Sequence, residues 1–237
     1  FVSELAESLP PRGWDVTVFA PTQGAQAQIV RKLGVHVIDD IAEASRPDLI
    51  HGTFYFETIQ ACLRFPDVPL VFQTHAAKIW MSYPPKVPNL KRILAVDQPC
   101  ADALRAAGYT DGEIHITPNF ADTSRFRKRS ALPETPRKAL VFSNYVERQN
   151  SFYPDLKRRC AEAGIELDII GGCSGGFEAS PETVLPDYDI VFAKARCAIE
   201  ALVTGCAVIT CDNPGVGQLV TTKNLEDLQR LNFGWKT

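Results

Sequence analysis

Residues 188–217 read YDIVFAKARCAIEALVTGCAVITCDNPGVG, the most specific pattern in the chain: strand, tight turn with two cations, short helix, glycine stop, strand and glycine-rich loop. Lys194 and Arg196 fall where a strand turns into a helix. Cations there oppose the positive end of the helix macrodipole. Glu200, four residues after Arg196, makes the weaker, basic-before-acidic i,i+4 pair. An anion would resolve the conflict, because both cations and the backbone N–H groups of Arg196, Cys197 and Ala198 could converge on a diphosphate. The alternative is that both side chains extend into solvent. Glu200 sits among Ala198, Ile199, Leu202 and Val203, and either faces a ligand or pairs with Arg196. Gly215 and Gly217 either permit a left-handed turn or let N–H groups approach a phosphate.

These groups need a scaffold that presents turns at one edge, and the pattern supplies it. Strand-like segments at 15–20, 35–38, 69–73, 93–96 and 114–117, with another ending near His51, alternate with helix-like segments at 2–9, 25–33, 56–64 and 99–107. After a break the alternation resumes, with strands at 139–143, 166–170, 189–193 and 207–211 and helices at 154–163, 196–204 and 224–231. Such alternation implies βαβ units and parallel sheets. The expected fold class is α/β, with two doubly wound, Rossmann-like domains. The break, ADTSRFRKRSALPETPRK at 121–138, is basic, contains prolines and lacks periodicity. It reads as a linker, or else as a long surface loop. The expected division is 1–120, linker 121–138, and 139–237, with a separate parallel sheet on each side and a cleft between them. The text opens inside a helical pattern, FVSELAESL, and stops after LNFGWKT, so truncation at both ends is expected. The N-terminal domain should then lack its first strand.

Composition excludes several classes. A net charge of −3 makes no electrostatic case for nucleic acid or an anionic membrane. The longest apolar stretches, such as LVTGCAVITC, run for about ten residues, half of what a membrane span needs. The seven cysteines form no CxxC pair and mostly fall in apolar runs. They read as reduced thiols of a cytoplasmic protein, without a metal site.

The segment IEALVTGCAVITCD resembles the donor-binding region of GT-B fold glycosyltransferases, most closely the retaining family four that includes bacterial polysaccharide and glycolipid enzymes. IHITPNFAD is similar to that family's stretch before its interdomain linker, and RPDLIHG and PLVFQTHAA to its two His-bearing strand ends. The resemblance implies metal-independent transfer of a sugar from a nucleotide-diphosphate donor, without a cofactor, to an unidentified glycan, lipid or small-molecule acceptor. It implies Glu200 on the ribose hydroxyls and His75 as the candidate catalytic residue facing the sugar or acceptor. Asn144 and Arg148, in FSNYVERQN, stand in for an Arg and Lys that grip the diphosphate. Lys194, Arg196, Cys197, Ala198, Gly215 and Gly217 complete the expected donor site. Trp80 and Tyr83 are the candidate acceptor residues, as an aromatic sugar platform, or else they pack on the surface. His51 reads as structural and Asp122 as a turn or cap. The sequence departs from the family where a first glutamate is replaced by Phe192 and a glycine by Phe120. Two alternatives follow: a nucleotide-sugar-binding protein with a degenerate site, or a nucleotide-sugar 2-epimerase, which shares the fold.

Overall fold

The computed structural model describes residues 1–174 and 180–234. The chain divides into two compact units, Phe1–Ile116 and Thr117–Thr237.

The first unit contains α1 (Val2–Ser8), β1 (Thr17–Phe19), α2 (Ala25–Lys32), β2 (His36–Ile38), β3 (Ile50–Gly52), α3 (Tyr55–Arg64), β4 (Leu70–Thr74), β5 (Leu90–Ala95), α4 (Gln98–Ala106) and β6 (Ile114–Ile116). All pairings are parallel, but they form two sheets: β1 with β2, and β3-β4-β5-β6 in sequential order. Among the described residues no strand bridges β1 and β3, so the first unit has two short sheets. Local signals end the helices where the pattern placed them. Asp97 caps α4 by accepting the Cys100 N–H at 2.8 Å, and Gly108, with φ +86°, stops it.

The second unit contains β7 (Lys138–Phe142), α5 (Tyr153–Glu162), β8 (Glu166–Ile170), α6 (Pro181–Val184), β9 (Ile190–Ala193), α7 (Ala195–Thr204), β10 (Ala207–Asp212), β11 (Gly215–Leu219) and α8 (Leu225–Arg230). Its sheet has the order β11-β10-β9-β7-β8. The two-residue side-chain period splits the strands between two cores. Leu140, Phe142, Val191 and Ala193 pack with Ala198 and Ala201 of α7 and Leu228 of α8. Ala139, Val141 and Phe192 pack with Tyr153, Leu156 and Cys160 of α5. Helices thus cover both faces, which is why these strands read as apolar runs. β11 pairs antiparallel with β10, so Gly215 and Gly217 lie in an edge strand rather than in the expected loop.

Residues 121–138 belong to the second unit and are packed onto it. Phe126 is buried in its core, and the Arg129 N–H donates to the Thr204 carbonyl at 2.8 Å. The Arg129 guanidinium reaches the Tyr188 carbonyl and the Asp189 carboxylate. Asp122 closes a local turn, accepting the Ser124 N–H at 2.8 Å.

Candidate functional site

In the second unit β8 and β9 lie on opposite sides of β7. The connections therefore diverge at β7, and in open α/β sheets the ligand crevice lies at such a point, here the carboxyl ends of β7 and β9. Four strand ends contribute to it. After β7, the Ser143 hydroxyl oxygen accepts the N–H groups of Tyr145 and Val146 at 3.1 and 3.2 Å and folds the chain back. The Asn144 side-chain oxygen accepts the Gly172 N–H at 3.0 Å, tying the ends of β7 and β8. Gly171, with φ +153°, passes so close to the Ser143 carbonyl that any Cβ would overlap it. Arg148 is exposed on the way into α5, and its charge partly offsets the rise that burial imposes on the Tyr153 hydroxyl pKa.

Lys194 follows β9, and its ammonium spans the crevice. It lies 4.5 Å from the centre of the Tyr145 ring and 2.6 Å from Asp212 Oδ1, at the end of β10. Arg196 Nε donates to Glu200 Oε1 at 2.7 Å. The Glu200 side chain is only 6% exposed and Arg196 30%, so Glu200 is an enclosed carboxylate rather than a solvated one. The electrostatic conflict expected at this turn is thus relieved within the chain, by Asp212 and Glu200. Burial first, and then the Glu200 charge, pushes the Cys197 thiol up to about 12, which keeps it protonated and unreactive at neutral pH. Ala198 is fully buried, and its N–H donates to the Lys194 carbonyl at 3.3 Å. Gly217 is small for a structural reason: a Cβ there would overlap the Thr210 hydroxyl, which accepts the Gln218 N–H at 3.0 Å. Gly215, with φ +146°, is buried opposite Asp212 in the β10–β11 pair.

In the first unit, His51 lies in β3 and His75 directly follows β4. Both rings contact Phe1, with centroids 5.8 and 4.9 Å apart respectively. Desolvation lowers the His51 pKa. His75 is lowered to about 4, chiefly by desolvation, with His51 adding in the same direction. Both shifts favour the neutral imidazole. The buried Ser82 hydroxyl accepts the N–H groups of His75 and Ala76 at 3.0 and 3.1 Å and shapes the turn. Trp80 and Tyr83 do not form one platform. Exposed Trp80 meets Tyr55 and Phe56 edge-on, at 5.6 and 5.5 Å. Tyr83 donates its hydroxyl to the Ala77 carbonyl at 2.6 Å and packs on the core around α4.

Among the described residues no three His, Cys, Asp or Glu side chains are grouped to hold a metal, and no helix is long and apolar enough to cross a membrane. The model of Glycosyltransferase Family 4 matches residues 1–125, the whole first unit and the entry into the second. The chain belongs to glycosyltransferase family 4. No curated protein matches it significantly.

Family 4 membership assigns this chain to glycosyl transfer and accounts for its α/β architecture with parallel sheets. The match covers the unit carrying His51, His75 and Trp80, whereas the family 4 chain's Lys194–Glu200 turn lies beyond it. Sequence reasoning found Lys194, Arg196 and Glu200 because they share one turn. It missed Asp212 and Tyr145, which join Lys194 only through strand order. A useful signal was available: both follow predicted strands, as does every group at this edge.

Proposed function

We propose that the chain binds a nucleotide-diphosphate sugar at the carboxyl ends of β7–β10 and transfers the sugar to an acceptor hydroxyl without a metal or cofactor, in the cytoplasm. The observation that supports this reading best is the position of Lys194 and Arg196, flanking the start of α7 at the crevice where strand order reverses. The diphosphate would replace Asp212 and part of Glu200 as counter-charge to the two cations. Glu200 would accept hydrogen bonds from the ribose hydroxyls, for which a carboxylate is the fitting acceptor. His75, neutral at pH 7, is a weak base and suits a hydrogen bond to a sugar or acceptor hydroxyl rather than a charge contact. Trp80, with Tyr55 and Phe56, offers aromatic surface to an acceptor.

A thermal-shift panel of UDP, GDP and ADP, followed by titration calorimetry and assay of the matching nucleotide sugars, tests the reading. One nucleoside diphosphate should raise the melting temperature, and its sugar conjugate should turn over. The absence of any shift would exclude the donor site. A second reading, binding of a nucleotide sugar without transfer, draws on the same pairs, since Asp212 and Glu200 already neutralise both cations. Binding without turnover would favour it.

A further inference from the structure

Ala195, between the two cations, is left-handed, with φ +50°. That conformation costs an alanine energy and persists only where its surroundings impose it. The element imposing it is far away in sequence. The Ala195 N–H donates to the Asn232 carbonyl at 2.9 Å. Asn232 and Phe233 are themselves left-handed, with φ +52° and +55°. Two such residues in succession turn the chain sharply after α8. They bury Phe233 in the core and aim the Asn232 carbonyl at α7. The Asn232 side chain is fixed in turn: its oxygen accepts the Asn119 amide N–H at 3.0 Å, across a separation of 113 residues.

The consequence lies at the two cations. Lys194 is extended, with φ −133° and ψ 171°, and α7 begins at Ala195. The φ of Ala195 therefore sets the angle between the incoming Lys194 backbone and the helix that carries Arg196 and Glu200. A right-handed Ala195 would swing Lys194 away from Tyr145 and Asp212.

We infer that Asn232, anchored by Asn119, is a positioning residue that holds the strained turn at Ala195 and so aims Lys194 into the crevice beside Tyr145 and Asp212. The inference rests on the donor-site reading only for its effect on ligand affinity; the hold on Ala195 is testable without a ligand.

Two variants remove the same hydrogen bond from opposite sides. Asn232→Gly keeps the left-handed backbone at no steric cost, and Asn119→Ala leaves Asn232 untouched. Both are compared with the wild-type chain in calorimetric titrations with UDP, GDP and ADP at low salt, and in amide hydrogen exchange at Ala195. Each variant should exchange Ala195 faster and bind the preferred nucleoside diphosphate about three- to tenfold more weakly, the range of one lost hydrogen bond. The double variant should be no weaker than either single one, since both delete one interaction. A purely structural role would lower the melting temperature and leave affinity and Ala195 exchange at wild-type values, which overturns the inference, as do additive losses. If the wild-type chain binds none of the three diphosphates, the donor-site reading falls, and the exchange rate of Ala195 alone decides the positioning role: faster exchange in both variants sustains it, and unchanged exchange rejects it.

Discussion

The Lys194 ammonium is held 2.6 Å from the Asp212 carboxylate, which closes a strand 18 residues further on. Both side chains are partly exposed, at 25% and 19%, so the pair can open toward an incoming anion. On the donor-site reading, Asp212 competes with the diphosphate for Lys194. Lys194→Ala should weaken nucleoside diphosphate binding by about 1.5–3 kcal/mol, the range for a charged hydrogen bond. Asp212→Asn should leave binding equal or tighter. Both differences should shrink as salt rises from 0.01 to about 0.15 M. Calorimetric titration across that range checks the signs, and weaker binding by Asp212→Asn would count against competition.

Glu200 is more enclosed than its partner Arg196. Glu200→Gln keeps the shape but removes the charge, and should cost about 1–3 kcal/mol of folding stability through the buried end of the pair. Donor affinity should fall by about 1.5–3 kcal/mol as ribose recognition weakens. Urea unfolding with titration of the same variant separates the two effects. Unchanged affinity would restrict Glu200 to a structural role.

Arg129 and Asp189, 60 residues apart, form the most enclosed ion pair among the described residues joining 121–138 to the second unit's sheet, with side chains 11% and 9% exposed. Burial pulls the Asp189 pKa up, but the N–H groups of Arg137 and Lys138 and the Arg129 guanidinium outweigh it and hold the carboxyl below its usual 3.8. Its stabilisation is present above that value and lost as pH falls through the lower, folded pKa. Asp189→Asn should cost about 3–5 kcal/mol, since one buried charge loses its partner. Denaturant melts at pH 7 and pH 3 should show a smaller difference between wild type and variant at pH 3.

His75 acts in the same direction, at higher pH. Its folded pKa of about 4 lies below the ordinary 6.5, so between these values the unfolded chain binds a proton that the folded chain refuses. Stability should therefore fall as pH drops from 6.5 to about 4, with His51 adding in the same direction. His75→Gln should flatten that slope. Melting temperatures at pH 7, 6, 5 and 4 provide the comparison, and an unaltered slope would place the proton uptake elsewhere.

The two glycines of β11 should behave as packing residues. Gly217→Ala forces a methyl group into the Thr210 hydroxyl and should destabilise by about 1–3 kcal/mol, as overpacking does. Replacing Thr210 with Ala in the same chain should recover part of the loss. A Gly217→Ala variant of wild-type stability would show that β11 shifts freely.

The sequence alone determined what short-range physics controls. Apolar runs of strand length, helical faces such as that of α7, and glycine stops at Gly108 and Gly205 each depend on neighbours within a few residues, and they mark the α/β alternation and the turn carrying Lys194, Arg196 and Glu200. Only the tertiary structure decided which groups those side chains meet. Strand order set Asp212 and Tyr145 beside Lys194, and the turn after α8 brought Asn232 to Ala195. It also made β11 a strand, because Gly217 fits against Thr210 where a larger residue would not. Register and crossover order arise from loop closure and the packing of distant apolar surfaces, so no local window contains them.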